Sequence, residues 1–240
     1  MPNDYFQFQQ FRIEQSNCAQ KVSTDACLLG AAANLAGATR VLDLGTGTGL
    51  LALMAAQRAP AAEIEAIEID PAAAAQAAAN AAASPWAGRI QVHPLSLVEY
   101  AATRPGTFSH IICNPPFFRR SLAPPNAARA TARHAGAASL TFGDLSAFAA
   151  GHLRPGGTLT VLLPPPEMLA FEHEAQASGL AVRARLAVRH RPGGRLTRVI
   201  TELGGVAPEA VREENLVIQE ADGTYSAAFR ALLGGFYLAL

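Results

Sequence analysis

Apolar and polar positions along the chain follow two rhythms, a period of about two residues in short blocks and of three to four in longer ones. Short apolar blocks bounded by glycine or proline predict strands, and longer blocks with helical spacing predict helices. From residue 38 onward the two kinds of block alternate, which is the order that gives a parallel sheet covered by helices. The predicted strands are residues 41–44, 64–69, 90–93, 109–113, 158–163, 182–188 and 198–203. We therefore expect an α/β fold with a seven-stranded, mostly parallel sheet, whose last two strands form a hairpin around Pro192-Gly193-Gly194.

Ahead of this series, a small N-terminal extension is predicted for residues 1–37. It begins with a strand pair or a bulged strand, because its large apolar residues alternate with polar ones and then change parity. These residues are Phe6, Phe8, Phe11 and Ile13. An apolar helix with Leu28, Ala32 and Leu35 on one face follows and is closed by Gly37. The expected division is thus an extension over residues 1–37, packed on a main domain over residues 38–240.

Composition favours a cytoplasmic protein and suggests no metal. Half of the 240 residues are apolar, and the formal net charge is zero. The three cysteines, Cys18, Cys27 and Cys113, have no metal-ligand spacing, so free thiols in a reducing compartment are expected. Residues 1–4 lack the basic and apolar blocks of a signal peptide, and no apolar run is long enough for a membrane span. We therefore expect a soluble protein with no membrane partner.

The segment from Val41 to Gly49, V-L-D-L-G-T-G-T-G, predicts a nucleotide-binding corner. A buried strand ends in alternating glycines, which let the backbone turn tightly and approach a ligand, and a helix follows. The spacing is G-x-G-x-G, whereas dinucleotide sites use G-x-G-x-x-G to hold a pyrophosphate. Asp43, two residues before the first glycine, would repel a pyrophosphate and suits an ammonium group.

This corner resembles motif I of the class I S-adenosylmethionine-dependent methyltransferases, which have a Rossmann-like fold. Glu68 lies at the end of the next strand, where an acid can accept both hydroxyls of an adenosine ribose. At the end of the third strand, these methyltransferases usually carry an acid that holds the adenine amine. Here that position is Ser96, followed by Leu97, and this departure predicts weaker cofactor binding.

The stretch Asn114-Pro115-Pro116-Phe117 after the fourth strand of the main domain matches the [D/N/S]-P-P-[Y/F/W] loop of amino-group methyltransferases. The exocyclic amine of adenine is a poor nucleophile because its lone pair is delocalised into the ring. The Asn114 side-chain oxygen and the Pro115 carbonyl can each accept one N–H, which directs the lone pair and stabilises the positive charge formed on transfer. The prolines fix the loop, and Phe117 offers a face for the extruded base. All four residues are therefore candidate catalytic residues.

Nearly the whole chain resembles the bacterial tRNA-adenine N6-methyltransferases that act on valine tRNA. The shared features are the C-A-x-K-V-x-T-D segment from Cys18 to Asp25, Ser84-Pro85-Trp86, the N-P-P-F loop and the C-terminal segment 225–238. The resemblance implies S-adenosylmethionine as cofactor, tRNA as partner and adenine 37 as target; the protein is expected to be a monomer. It also implies that Lys21 and Thr24 line the methionine end of the cofactor. The complete set of expected cofactor contacts is Lys21, Thr24, Asp43, Gly45, Thr46, Gly47, Gly49, Glu68, Ser96, Leu97 and Asn114.

Arginines are concentrated in two acid-free stretches, five in residues 101–143 and six in residues 175–201. Such clusters are typical of phosphate contacts, although a solvated basic face is the alternative. The arginines expected to bind RNA are Arg119, Arg120, Arg129, Arg133, Arg189, Arg191 and Arg195. Two other functions remain open from the residues: methylation of a glutamine side-chain amide, which offers the same planar NH₂, and RNA binding without catalysis.

Overall fold

The computed structural model describes residues 4–115 and 140–240, which form an eight-stranded sheet with helices on both faces and a separate two-stranded sheet. The strands are β1 (Tyr5–Gln7), β2 (Arg12–Glu14), β3 (Arg40–Leu44), β4 (Glu63–Ile67), β5 (Ile90–His93), β6 (Phe108–Cys113), β7 (Leu153–Leu163), β8 (Ala181–Arg189), β9 (Leu196–Gly204) and β10 (Arg212–Val217). The helices are α1 (Thr24–Ala32), α2 (Leu50–Arg58), α3 (Pro71–Ala82), α4 (Leu97–Ala102), α5 (Phe142–His152), α6 (Pro165–Ala177) and α7 (Ala227–Leu233). The predicted α/β fold is confirmed.

The large sheet has the order β10-β8-β9-β7-β6-β3-β4-β5, in which β3 is the middle one of the five strands from β7 to β5. The five strands from β7 to β5 are mutually parallel, and β6 is buried along its whole length. Strands buried on both faces have nearly continuous apolar sequences, which is why β3 and β6 are recognisable in the sequence. Two apolar cores cover the two faces, one containing α1 and α2 and the other containing α5 and α6.

The sheet has eight strands rather than the seven expected. The hairpin around Pro192-Gly193-Gly194 is present, and β9 pairs antiparallel with both β7 and β8. The additional strand is β10, which pairs parallel with β8 at the edge of the sheet. Its first four residues, Arg212 to Asn215, are exposed and polar, and only Leu216 is buried. An edge strand of this kind lacks the apolar alternation that would have predicted it.

Two helices also differ from expectation. Helix α1 ends at Ala32, so Leu35 is buried beyond the helix and not on its face. Helix α4 was not expected, because it has only six residues and follows the short strand β5 directly.

The N-terminal hairpin packs against the C-terminal end of the chain. Strands β1 and β2 pair antiparallel, so the strand-pair alternative is the correct one. The rings of Phe6 and Phe8 lie 5.8 and 6.0 Å from that of Tyr237, and Gln9 Nε2 donates to the Gly234 carbonyl at 2.9 Å. Helix α1 shares its core with α2, and the expected division at residue 37 stays a prediction.

Among residues 4–115 and 140–240, no helix has the length and apolarity needed to cross a membrane. No group of three or more His, Cys, Asp or Glu side chains there could hold a metal ion.

Candidate active site

Four predicted site segments follow four neighbouring parallel strands and therefore meet at one edge of the sheet. The glycine turn follows β3, Glu68 follows β4, Ser96 follows β5 and Asn114 follows β6. The carboxyl ends of parallel strands form the usual ligand-binding crevice of an open α/β sheet. The hairpin between β8 and β9 also lies at this edge, since Leu163 at the end of β7 pairs with Val199 near the start of β9.

The turn between β3 and α2 depends on three glycines with positive φ, 72° at Gly45, 56° at Gly47 and 85° at Gly49. Side chains rarely adopt this conformation, which explains the glycine at each position. The N–H groups of Gly45 and Thr46 both donate to the Ile67 carbonyl at 3.0 Å, so the turn is held against the end of β4. A Cβ at Gly45 or Gly47 would have no atom within 4 Å. A ligand can therefore approach the backbone closely at these two positions.

Asp43 and Thr46 lie beneath this turn. Asp43 is completely buried in β3, and its Oδ2 accepts hydrogen bonds from the Thr46 hydroxyl and from Ala52 N at 3.0 Å. No described residue donates to Asp43 Oδ1. Burial raises the pKa of Asp43 to about 7 despite these two hydrogen bonds. In the structure both side chains therefore shape the turn from below, whereas direct contact with a cofactor stays a prediction for them.

Glu68 faces the glycine turn from the next strand. Its Oε2 accepts from Gly47 N at 2.9 Å, and its Oε1 accepts from Asp70 N at 3.0 Å. The carboxylate is half-exposed, so its remaining lone pairs are available to accept hydrogen bonds from a ligand. Asp70 caps α3 by accepting from Ala72 N at 2.8 Å, as its sequence position predicts.

Ile69 belongs to the same edge and was missed by the sequence analysis. It lies between Glu68 and Asp70 and is 46% exposed, unusually open for an isoleucine. Leu97, after β5, is half-buried. The signal that could have identified Ile69 is an apolar residue between two acids at the end of a strand.

Ser96 has a structural role that the sequence analysis did not assign. It is the N-cap of α4 and forms a capping box with Glu99. Ser96 Oγ donates to Glu99 Oε2 at 2.7 Å and accepts from Glu99 N at 3.2 Å. These hydrogen bonds lower the pKa of Glu99. A carboxylate, that of Glu99, therefore lies within hydrogen-bond distance of residue 96, although residue 96 itself has none.

Asn114 follows β6, and its side-chain oxygen has no donor within residues 4–115 and 140–240. This Oδ1 atom is buried. Pro115 is buried as well. Buried acceptors are normally paired, so among the described residues Oδ1 is a candidate acceptor for a ligand. Pro116 and Phe117 lie outside the described residues, as do Arg119, Arg120, Arg129 and Arg133.

The segment before α1 carries the N-terminal signature. Lys21 is exposed, and its Nζ donates to the Gln15 carbonyl. Thr24 is the exposed first residue of α1, whose N-cap is Ser23. Burial and, to a smaller extent, the Glu68 carboxylate raise the pKa of the Cys18 thiol. Contact of Lys21 and Thr24 with a cofactor stays a prediction.

The arginines of the last hairpin form two groups. On its shaft, Arg185 contacts Glu172 and Glu213, each at 2.7 Å, and Arg198 contacts Asp25 at 2.7 Å. The second group, at the tip, is Arg189, Arg191 and Arg195. Among residues 4–115 and 140–240, no carboxylate forms an ion pair with these three, and Arg189 donates to the Asn215 amide at 2.6 Å. Within this part of the chain, the positive charge of the hairpin is therefore uncompensated at its tip and compensated on its shaft.

Comparisons with known proteins agree with this geometry. Residues 18–165 match the model of the methyltransferase small domain. A tRNA1(Val) (adenine(37)-N6)-methyltransferase of Serratia proteamaculans is 43% identical over 97% of this chain and 89% of its own. One of Yersinia pseudotuberculosis is 40% identical over 97% of this chain and 92% of its own.

Solved structures show the fold. One described as a predicted O-methyltransferase of Agrobacterium tumefaciens has a TM-score of 0.65 and 22% identity, covering 88% of this chain and 96% of its own. A ribosomal protein L11 methylase of Lactobacillus delbrueckii subsp. bulgaricus has a TM-score of 0.55 and 20% identity, covering 80% of this chain and 83% of its own.

The raised pKa of Asp43 predicts a specific pH dependence of stability. The unfolded side chain loses its proton near pH 4, and the folded one near pH 7. Between pH 4 and pH 7 the folded state binds more protons than the unfolded state does. The contribution of Asp43 to the free energy of unfolding is therefore complete below pH 4 and is lost as the pH rises to about 7. The variant Asp43→Asn cannot ionise, so the parent should lose on the order of 2 kcal/mol of unfolding free energy relative to it between about pH 5 and pH 7.

Urea unfolding of both proteins at several pH values measures this difference. A constant difference across that range would show that Asp43 titrates at its ordinary pKa in the folded protein.

Proposed function

Because this chain belongs to the family of tRNA1(Val) (adenine(37)-N6)-methyltransferases, we propose that it methylates the N6 amine of adenine 37 in a valine tRNA. The cofactor is S-adenosylmethionine. The observation that carries the proposal is the buried Oδ1 of Asn114, which follows β6, begins an N-P-P-F sequence and has no donor among residues 4–115 and 140–240. An acceptor at this position, beside a glycine corner, is what amine methylation requires.

The residues at the sheet edge fit S-adenosylmethionine, which supplies a methyl group bound to a positively charged sulfur. The open backbone at Gly45 and Gly47 allows close approach, and Glu68 keeps accepting positions for ribose hydroxyls. Ile69 and Leu97 would provide apolar faces for the adenine. Toward the methionine end we propose Lys21 and Thr24, which belong to the segment that leads into α1. An ammonium group bound near the turn would favour the ionised form of Asp43, whose negative charge would in turn stabilise that group.

The part of Asn114 in the reaction follows from the chemistry of an aromatic amine. Its Oδ1 and the Pro115 carbonyl accept the two N–H groups of adenine N6, which withdraws the nitrogen from the ring plane and directs its lone pair. As the nitrogen becomes positive, both acceptors are already in place, so little reorganisation is required. No side chain must remove a proton before attack, because the proton leaves after the new bond has formed. Phe117 would stack on the extruded base.

The tip of the last hairpin is the described surface best suited to the tRNA backbone. Arg191 and Arg195 are exposed, and together with Arg189 they project from the same sheet edge as Asn114. Arg119, Arg120, Arg129 and Arg133 follow the catalytic loop in the sequence and are proposed for the same purpose. The shaft arginines Arg185 and Arg198 are not part of this proposal, since carboxylates compensate them.

Three further proposals accompany the function. Since tRNA is the substrate, the compartment is the cytoplasm. The enzyme acts as a monomer. Residues 1–37 form an extension of a methyltransferase domain that spans residues 38–240.

The function is tested by incubating the protein with isotopically labelled S-adenosylmethionine and total unmodified tRNA, then locating the label. Label at N6 of adenine 37 in valine tRNA supports the proposal. Label in a protein glutamine would support the amide alternative, and tRNA binding without label would support the non-catalytic one.

Replacing Asn114 by alanine should lower the rate of methyl transfer by about 10²–10³-fold, the usual effect of removing one preorganised transition-state group. Affinity for S-adenosylhomocysteine should stay within a few-fold, because the side chain acts on the amine. Single-turnover kinetics and calorimetry measure the two quantities. Asn114→Asp is the matched control, since a carboxylate still accepts and should retain part of the activity; equal rates in Asn114→Ala and the parent would exclude the mechanism.

Neutralising the hairpin tip should weaken tRNA binding and lower its salt dependence. Each phosphate that the protein no longer neutralises should reduce the log–log slope by roughly 0.7–0.9. The double variant Arg191→Gln/Arg195→Gln should therefore reduce the slope by roughly 1.5, measured by titrations at several salt concentrations. Arg212→Gln is the control, because Arg212 begins β10 at the opposite edge of the sheet and pairs with Glu214. An unchanged slope in the double variant would make the tip a merely solvated surface.

A carboxylate at residue 96 should improve cofactor binding only when Glu99 is neutralised, because the two acids would otherwise repel each other across the capping box. A carboxylate acceptor contributes about 1.5–3 kcal/mol against about 0.5–1.5 for a hydroxyl. Ser96→Asp/Glu99→Gln should therefore bind S-adenosylhomocysteine about tenfold more tightly than Glu99→Gln alone. Calorimetry measures the two affinities. Equal affinities of Ser96→Asp/Glu99→Gln and Glu99→Gln would mean that the adenine amine already has a hydrogen-bond partner.

A further inference from the structure

Asn80 forms hydrogen bonds with two parts of the chain that are remote in sequence, one of which is the glycine turn of the proposed cofactor site. It is an interior residue of α3 with only 3% of its surface exposed, and its amide group is fully used. Its Oδ1 accepts from Glu14 N at 3.0 Å, and its Nδ2 donates to the carbonyls of Glu14 and Thr48, each at 2.8 Å. Glu14 ends β2, and Thr48 lies inside the glycine turn. The single side chain therefore connects the N-terminal hairpin to the turn.

These contacts require an amide in one orientation. Glu14 presents both a donor and an acceptor, and Thr48 presents an acceptor, so only a side chain with one acceptor and two donors satisfies all three. Aspartate would place an oxygen against two carbonyls, and alanine would leave three buried backbone groups without partners.

Beyond Glu14, the hydrogen bonds continue to the residues assigned to the methionine end. The side chain of Gln15, which is 5% exposed, accepts from Val22 N at 2.8 Å through Oε1. Its carbonyl accepts from Lys21 Nζ and from Cys18 N. Ser23 and Thr24 then begin α1. The position of Lys21 thus depends on Gln15. The position of Gln15 depends in turn on the three hydrogen bonds of Asn80 with Glu14 and Thr48, which we call the clamp.

We propose that Asn80 is a positioning residue, which holds the segment from Gln15 to Thr24 and the glycine turn in the relative arrangement that S-adenosylmethionine needs. The proposal rests on the proposed function for the identity of the ligand. Its energetic content is preorganisation: if the clamp is lost, only a fraction of molecules has both parts in place, and the apparent affinity falls by that fraction.

The test compares amide hydrogen exchange and ligand binding in the full-length parent and in Asn80→Asp. Exchange by mass spectrometry should become faster in both residues 14–24 and residues 45–49, without any ligand present. Calorimetry with S-adenosylhomocysteine should show affinity about tenfold weaker or more, as expected if about one molecule in ten keeps the competent arrangement.

Arg89→Met is the matched structural control. Arg89 also binds three backbone carbonyls, those of Ala56, Ala59 and Ala62, but at the far end of α2. It should lower the melting temperature while leaving exchange at residues 14–24 and the affinity unchanged. Equal losses of affinity in the two variants, at matched melting temperatures, would overturn the proposal by reducing Asn80 to a general contributor to stability.

A second variant keeps the proposal testable if Asn80→Asp does not fold. Gln15→Met removes the acceptor of Val22 N and should loosen residues 18–24 while leaving residues 45–49 protected, with weaker binding. Unchanged binding together with a loosened segment would overturn the proposal. If the parent itself does not bind S-adenosylhomocysteine, the proposed function fails, and the exchange comparison alone then decides the coupling.

Discussion

The site depends on a buried carboxylate. Asp43 lies in β3 with no exposed surface, and two hydrogen bonds reach it, from Thr46 and from Ala52 at the start of α2. They close the glycine turn over the acid, yet burial still raises its pKa to about 7. An acid in this condition is costly to ionise and leaves Oδ1 without a donor among the described residues, both of which favour a cationic ligand above the turn. A cation bound at the turn would favour the ionised form of Asp43, which couples the charge state of this acid to the proposed cofactor.

The parts of the site that the sequence predicted are those whose chemistry is local. Three glycines at alternate positions require a particular backbone, and each does have positive φ. Asp70 before Pro71 predicts a helix cap, and the structure has one. The buried strands β3 and β6 were recognisable because both of their faces are covered. Where a residue's role is decided within a few positions along the chain, its type is sufficient information.

The parts that could not be predicted depend on pairing between remote segments. Ser96 was interpreted as a defective ligand, whereas its hydroxyl is engaged by Glu99 in a helix that the sequence did not reveal. The hairpin arginines look alike in the sequence, and only the fold shows that Glu172, Glu213 and Asp25 compensate two of them. An acid 13 or 173 residues away changes whether an arginine is available to phosphate. Charge counted along the chain therefore overestimates the basic surface.

The same reasoning explains why the two ends of the chain matter to a site at its centre. The N-terminal hairpin is too small to be stable alone, since a two-stranded sheet is marginal in water. It is held on one side by Gln9, whose Nε2 donates to the Gly234 carbonyl, and by the rings around Tyr237. On the other side Asn80 fixes Glu14 to the glycine turn. Because the hairpin leads directly into the segment with Lys21 and Thr24, packing at the C-terminus contributes to the geometry of the proposed cofactor site. A loss of order at either terminus should therefore reduce cofactor affinity before it unfolds the central sheet.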